Sequence, residues 1–104
     1  MDRKTTNPEI ILFVNQVKRK YSPDKIILFG SRARNNYWKR SDYDFIIISK
    51  KFKNVHWLKR ISGVVKLWNL SIDIDVLPYT PEEFEEKKTE SSTVREAIKY
   101  GIEI

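Results

Sequence analysis

Cysteine is absent from this sequence, which excludes disulfides and zinc–thiolate sites and is compatible with a reducing cytoplasm. No apolar run approaches the roughly 20 residues that a membrane-spanning helix requires. The opening residues, Met1 to Asn7, lack the apolar stretch of a secretory leader, so a cytoplasmic protein without a membrane partner is expected. Internal repeats, low-complexity tracts and linkers are lacking too. Residues 1–104 are therefore expected to form a single domain, small but able to bury one core without covalent staples. Histidine occurs once, as His56, near an expected helix start and away from the acidic strands. It reads as a surface residue with no catalytic task.

Positive charge, by contrast, is in excess. Twenty Lys and Arg against 14 Asp and Glu leave a net charge of +6, which favours a nucleotide, a nucleic acid or an acidic protein surface as partner. Charged residues make up 33% of the chain, however, so many lysines simply solvate the exterior. The run Lys50-Lys51-Phe52-Lys53 reads as a solvated loop, and direct nucleic-acid binding is open but not favoured.

Along the chain, Asn7-Pro8-Glu9 marks a helix start: a capping side chain, a proline with no N–H to leave unpaired, and an acid that suits the helix dipole. Ile10, Val14, Val17 and Tyr21 then recur at helical spacing, and Ser22-Pro23 ends the helix. Lys25 to Phe29 is apolar enough for a strand buried on both faces. Gly30 to Arg34 opens a short helical turn, Asn35 to Arg40 is a polar loop carrying Tyr37 and Trp38, and Ser41 to Ser49 is a second strand. Asn54 is the expected cap of a second helix with a stripe at Leu58, Ile61, Val65 and Trp68, interrupted by Gly63. A third strand, Ser71 to Leu77, alternates cleanly and is closed by Pro78. Thr80-Pro81-Glu82-Glu83 is a capping box opening a helix to Lys88, with Glu83 and Lys87 as a facing pair. A last helix runs from about Thr93 to Tyr100 behind a second box, Thr93 to Glu96, and stops at Gly101. The tail Ile102-Glu103-Ile104 alternates as a strand would.

The chemistry gathers between Ile26 and Ser49. The first strand is stopped at once by Gly30-Ser31, and eleven residues after Ser31 come Asp42 and then Asp44, entering the second strand. Because side chains alternate across a strand, these two carboxylates share a face and repel each other unless a cation lies between them. Magnesium suits that arrangement, since it takes carboxylate oxygens and accepts substrate phosphates as remaining ligands. A third carboxylate from the strand Ile72 to Leu77, Asp75 or Asp73, would complete a two-metal clamp. Gly30 and Ser31 would cradle the terminal phosphates, with Arg32 and Arg34 offsetting charge.

The pattern Gly30-Ser31, ten residues, Asp42-x-Asp44 resembles the signature of the polymerase-β-type nucleotidyltransferase superfamily. Gly30-Ser31-Arg32-Ala33-Arg34 and Ser41-Asp42-Tyr43-Asp44 resemble its minimal nucleotidyltransferase (MNT) branch, and the segments 75–84 and 94–102 are similar to that branch's third acidic strand and closing segment. The resemblance implies an α+β fold, a small mixed sheet with helices packed against it. It implies transfer of a nucleoside monophosphate, AMP from ATP foremost, from an NTP to a hydroxyl. It further implies an antitoxin that modifies a tyrosine of a HEPN-domain toxin partner, in a homo- or hetero-oligomer. On this reading Asp42, Asp44 and Asp75 are catalytic and hold Mg2+, and Gly30, Ser31 and Arg32 bind the nucleotide. Asn35 stands where the family often has glycine, and Asp73 shares the face of Asp75; neither departure removes a required ligand.

Each part alone has an ordinary explanation. A lone Asp-x-Asp is usually two surface carboxylates, Ser31 could merely cap its turn, and Arg34 is as readily a surface arginine. Trp57 and Trp68 suit the core or an interface better than a base-stacking platform. An interaction subunit that neutralises its partner by binding alone is the alternative to the enzyme, motivated by a length that leaves little room for a separate acceptor-binding domain. A basic nucleic-acid binder is the third reading, and it leaves the acidic strands unexplained.

Overall fold

The computed structural model describes residues 8–34 and 42–104. The Asn7 cap and the 35–40 loop with Tyr37 and Trp38 lie outside those residues. Element order is a 3-10 turn at Pro8–Ile10, α1 (Ile11–Tyr21), β1 (Lys25–Phe29), β2 (Tyr43–Ile48), a 3-10 turn at Lys50–Phe52, α2 (Trp57–Val65), β3 (Ile74–Tyr79), α3 (Pro81–Glu90), α4 (Ser92–Tyr100) and β4 (Ile102–Glu103).

The strands form one mixed sheet in the order β3-β2-β1-β4. β1 is antiparallel to β2 and β4, whereas β2 and β3 run parallel, with α2 as the crossover that a parallel pair requires. One sheet face, with Ile26, Leu28, Tyr43, Phe45 and Ile47, packs under α1 and α2 through Phe13, Val14, Val17 and Val64. The other, with Ile27, Ile46 and Ile48, packs under α3 and α4 through Phe84, Val94 and Ala97. Strands β1 and β2 are thus buried on both faces, which is why each reads as a continuous apolar run.

Several local expectations are corrected. The first helical turn is 3-10, and Ser22 ends α1 in the left-handed region (φ 44°), its N–H donating to the Lys18 carbonyl. The lysines of 50–53 are exposed, but Phe52 between them is buried against Tyr21, because a 3-10 turn capped by Ser49 folds it inward. α2 is capped by His56, whose Nδ1 accepts from the Leu58 N–H (3.1 Å), and not by Asn54. Arg60 and Val64 are buried on its core side and Ile61 packs beside them as expected, whereas Leu58 is 66% exposed. The helix runs through Gly63, where the Tyr21 hydroxyl of α1 comes close enough to leave no room for a Cβ. β3 begins at Ile74 and continues through Pro78 to Tyr79, since an edge strand tolerates a residue without an N–H. The Thr80–Glu83 box forms in both directions (3.2 and 2.9 Å). Glu83 pairs not with Lys87 but with Arg60, through two contacts of 2.6 and 3.2 Å. Ser91, not Thr93, caps α4.

Candidate active site

The register of the sheet assembles the acidic residues. β1 ends with Phe29 opposite Asp44, and Asp44 is in turn opposite Asp75 across the parallel pair. Phe29, Asp44 and Asp75 therefore form a row across three strands, with Gly30 following directly at one end. Asp44 and Asp75 belong to the α3–α4 side of the sheet, because Ile46 and Leu77 two residues on project to the same side. Asp42 lies just ahead of β2 and is exposed, as is Asp75, while Asp44 is half-buried. Asp73 precedes β3; its carbonyl accepts from the Tyr43 N–H (3.0 Å), extending the ladder towards the site.

Gly30 is required by this geometry twice over. Its φ of 77° lies in the left-handed region, and a Cβ there would collide with the Asp44 carboxylate. The turn that follows is closed by the Ala33 N–H donating to the Gly30 carbonyl and the Arg34 N–H to the Ser31 carbonyl, both at 3.1 Å. Those closures make residues 31–34 a turn and not a helix, with Ser31 following Gly30 directly.

Electrostatically the row is under load. Burial pushes the Asp44 carboxyl up to about 6, and the charges of Asp75 and Asp42, together with a hydrogen bond to Asp75, push in the same direction. Among the described residues, no three His, Cys, Asp or Glu side chains already form a metal-holding group. Asp44 and Asp75 share a hydrogen bond, and Asp42 acts on Asp44 through its charge. The donors are all carboxylate oxygens, the chemistry that suits a hard divalent cation.

The two arginines of the turn face elsewhere. Arg32 is buried, 7% exposed, with its guanidinium 4.3 Å from the centre of the Tyr43 ring. It lies 3.4 Å from the Tyr43 hydroxyl and 3.8 Å from the Glu9 carboxylate, and that hydroxyl donates to Glu9. Arg34 is half-exposed, pairs with Glu96 (3.5 Å) and lies over the Tyr100 ring (5.3 Å). Glu9 and Tyr43 are the residues that the sequence does not single out. A tyrosine on the core face of a strand needs a partner for its hydroxyl, and that was the available signal.

Among the described residues no helix is long and apolar enough to cross a membrane. A curated protein of Methanocaldococcus jannaschii, described as a "putative protein adenylyltransferase", is 29% identical over 102 residues, covering 92% of this chain and 99% of its own. A crystal structure described as a "putative nucleotidyltransferase" from Sulfolobus solfataricus superposes with a TM-score of 0.58 at 20% identity, covering 83% of this chain and 82% of that one. BolA1 from Arabidopsis thaliana reaches 0.59 at 16% identity over 74% of this chain and 96% of its own. At those identities both structural likenesses concern the fold alone. The nucleotidyltransferase domain model matches residues 10–103, from the last residue of the first turn to the end of β4, and the chain belongs to that family.

Proposed function

We propose that the protein is a magnesium-dependent nucleotidyltransferase that moves AMP from ATP to a hydroxyl of a partner protein. The single observation that carries this reading is the opposition of Asp44 and Asp75 across the parallel β2–β3 pair beside the Gly30 turn. The donor chemistry suits the ion: Asp44 and Asp75 share a hydrogen bond, and burial together with the charges of Asp75 and Asp42 pushes the Asp44 carboxyl up, a load that a cation would offset. Asp42, Asp44 and Asp75 would hold it. When bound, magnesium would neutralise phosphate charge and make the acceptor hydroxyl easier to deprotonate.

The chain's own groups then divide the work. Gly30 lets the triphosphate approach the backbone, and the Ser31 hydroxyl offers a donor to its oxygens. Asp75, exposed on the edge strand, is open to an acceptor and can take the proton of its hydroxyl. The acceptor oxygen bonds to the α-phosphorus, and the bond to pyrophosphate breaks. A protein as acceptor is supported by the description of the M. jannaschii relative. A tyrosine of a HEPN-type toxin, with this chain as its antitoxin, is the specific form that the MNT resemblance suggests. The test is transfer from ATP labelled at the α-phosphate to a co-purified partner. Label should appear on the partner with magnesium and be lost in Asp44→Asn; unchanged labelling in that variant would sink the reading.

A second reading is favoured by the apolar residues left outside on α2, Trp57, Leu58 and Val65. Such a flank suits a protein partner, and the chain would then neutralise a toxin by contact alone. A variant with both Asp42→Asn and Asp44→Asn that still neutralises its partner would favour this reading over catalysis.

A further inference from the structure

On the face of the sheet opposite the carboxylate row, one side chain links the Gly30–Arg34 turn to the core beside the aspartate strands. Tyr43 stands between Asp42 and Asp44 but points the other way, into the core under α1 and α2. Its ring is stacked on Phe45 (6.0 Å, 10°) and meets the edge of Trp68 (5.4 Å). Trp68 in turn donates from Nε1 to the Ile72 carbonyl (2.6 Å), fixing the chain that leads into Asp73 and Asp75. On its other side Tyr43 carries the Arg32 guanidinium, 4.3 Å from the ring centre, which belongs to the Gly30–Arg34 turn. The Tyr43 hydroxyl accepts from Arg32 (3.4 Å) and donates to Glu9, whose carboxylate also lies 3.8 Å from Arg32.

We infer that Tyr43 and Arg32, buried, and Glu9, at their outer side, form a clamp that sets the spacing between the glycine–serine turn and the aspartates, and that Tyr43 and Glu9 act as positioning residues for nucleotide binding. The inference rests on the nucleotidyltransferase reading for its consequence, but the clamp itself is testable without a nucleotide. Its physical basis is direct. Two three-residue hydrogen bonds close the backbone of the turn, and phosphate recognition requires placement to within about 0.5 Å. Arg32 anchors that turn in the core against the Tyr43 ring, where burial strengthens the cation–ring contact, and meets the partly exposed Glu9 carboxylate at its outer side. Glu9 comes from the 3-10 turn before α1 and meets the clamp on the side away from the aspartates. Its influence on a bound nucleotide would pass through Tyr43 and Arg32.

The experiment compares the full-length wild type with Tyr43→Phe and Glu9→Gln, two changes that retain side-chain shape. Backbone hydrogen exchange is read at Ala33 and Arg34 in the free protein, alongside the affinity for ATP with magnesium by calorimetry. Exchange at those two amides should rise about tenfold while amides of α3 and α4 stay as they are, and ATP should bind about tenfold more weakly, the order expected for a sub-ångström misplacement. Unchanged exchange at the turn overturns the clamp whatever ATP does. A uniform rise across the molecule also overturns it, because that is loss of global stability. Local loosening of the turn with ATP affinity unmoved overturns the positioning role. If the wild type binds no ATP, the functional reading fails by itself, and exchange at the turn still decides the clamp. Should Tyr43→Phe fail to fold, Glu9→Gln decides the matter, since Glu9 is partly exposed.

Discussion

At the scale of single residues, Asp44 and Gly30 depend on each other. Asp44 is held near a neutral-range value, about 6, by burial and by the neighbouring charges of Asp75 and Asp42. A carboxyl whose folded pKa lies above its unfolded value keeps its proton in the fold while the unfolded chain has lost it. Its contribution is therefore fully present below about pH 3.8, declines as pH rises, and is gone above about 6. Asp44→Asn should accordingly raise the melting temperature relative to wild type at pH 7 in EDTA, and the difference should close as pH falls to 4. A variant that melts lower at pH 7 would contradict the electrostatic account. Gly30→Ala places a methyl group at a φ of 77° against the Asp44 carboxylate. We expect a loss of about 1–3 kcal/mol, read as a lower urea midpoint at constant slope, which is the range for backbone strain of this kind.

At the scale of elements, Arg60 joins three of them. From α2 it donates to the Val55 carbonyl (2.8 Å), to the Pro78 carbonyl of β3 (3.0 Å) and to Glu83 of α3 (2.6 Å). Arg60→Ala should cost about 2–3 kcal/mol in chemical denaturation, below the full value for a buried pair because Glu83 is partly exposed. The hydrogen bonds from Arg60 hold the Glu83 carboxyl below its ordinary value. That stabilisation is present at neutral pH and is lost as pH falls through the folded pKa, so Glu83→Gln should destabilise at pH 7 and converge with wild type in acid. By contrast Leu58→Ser, on an exposed position, should change stability by no more than about 0.5 kcal/mol. This is where the sequence misleads. Of the apolar stripe Leu58, Ile61, Val65 and Trp68, Ile61 and Trp68 pack against the core, but Leu58 and Val65 stay exposed while α2 turns Arg60 and Val64 to the sheet, because the buried guanidinium finds partners on β3 and α3 that no local pattern announces. Strand limits erred for a related reason: Pro78 looks like a terminator until the strand is known to lie at an edge. The capping box at Thr80 and the β1 run were legible because each is decided within a few residues.

At the scale of the whole molecule, the candidate site was legible as a set of residue types and spacings, and the fold gave those spacings a meaning. Asp75 rather than Asp73 stands opposite Asp44, a matter of parallel register that sequence leaves open. Arg32, expected towards phosphate, is directed at Tyr43 and Glu9, a connection spanning 34 residues between Glu9 and Tyr43. A net charge of +6 on a chain whose Asp44 carboxyl is loaded by burial and by the charges of Asp75 and Asp42 sets an anion-favouring field around an acidic point. The most direct measurement is thermal stability of the wild type and of the Asp42→Asn/Asp44→Asn variant with ATP, GTP, CTP or UTP, in magnesium and in EDTA. A ligand that binds only the folded chain raises its melting point. The account predicts a rise with ATP and magnesium that EDTA abolishes and the variant lacks. A rise that survives both EDTA and loss of the two aspartates, or none with any nucleotide, would contradict it.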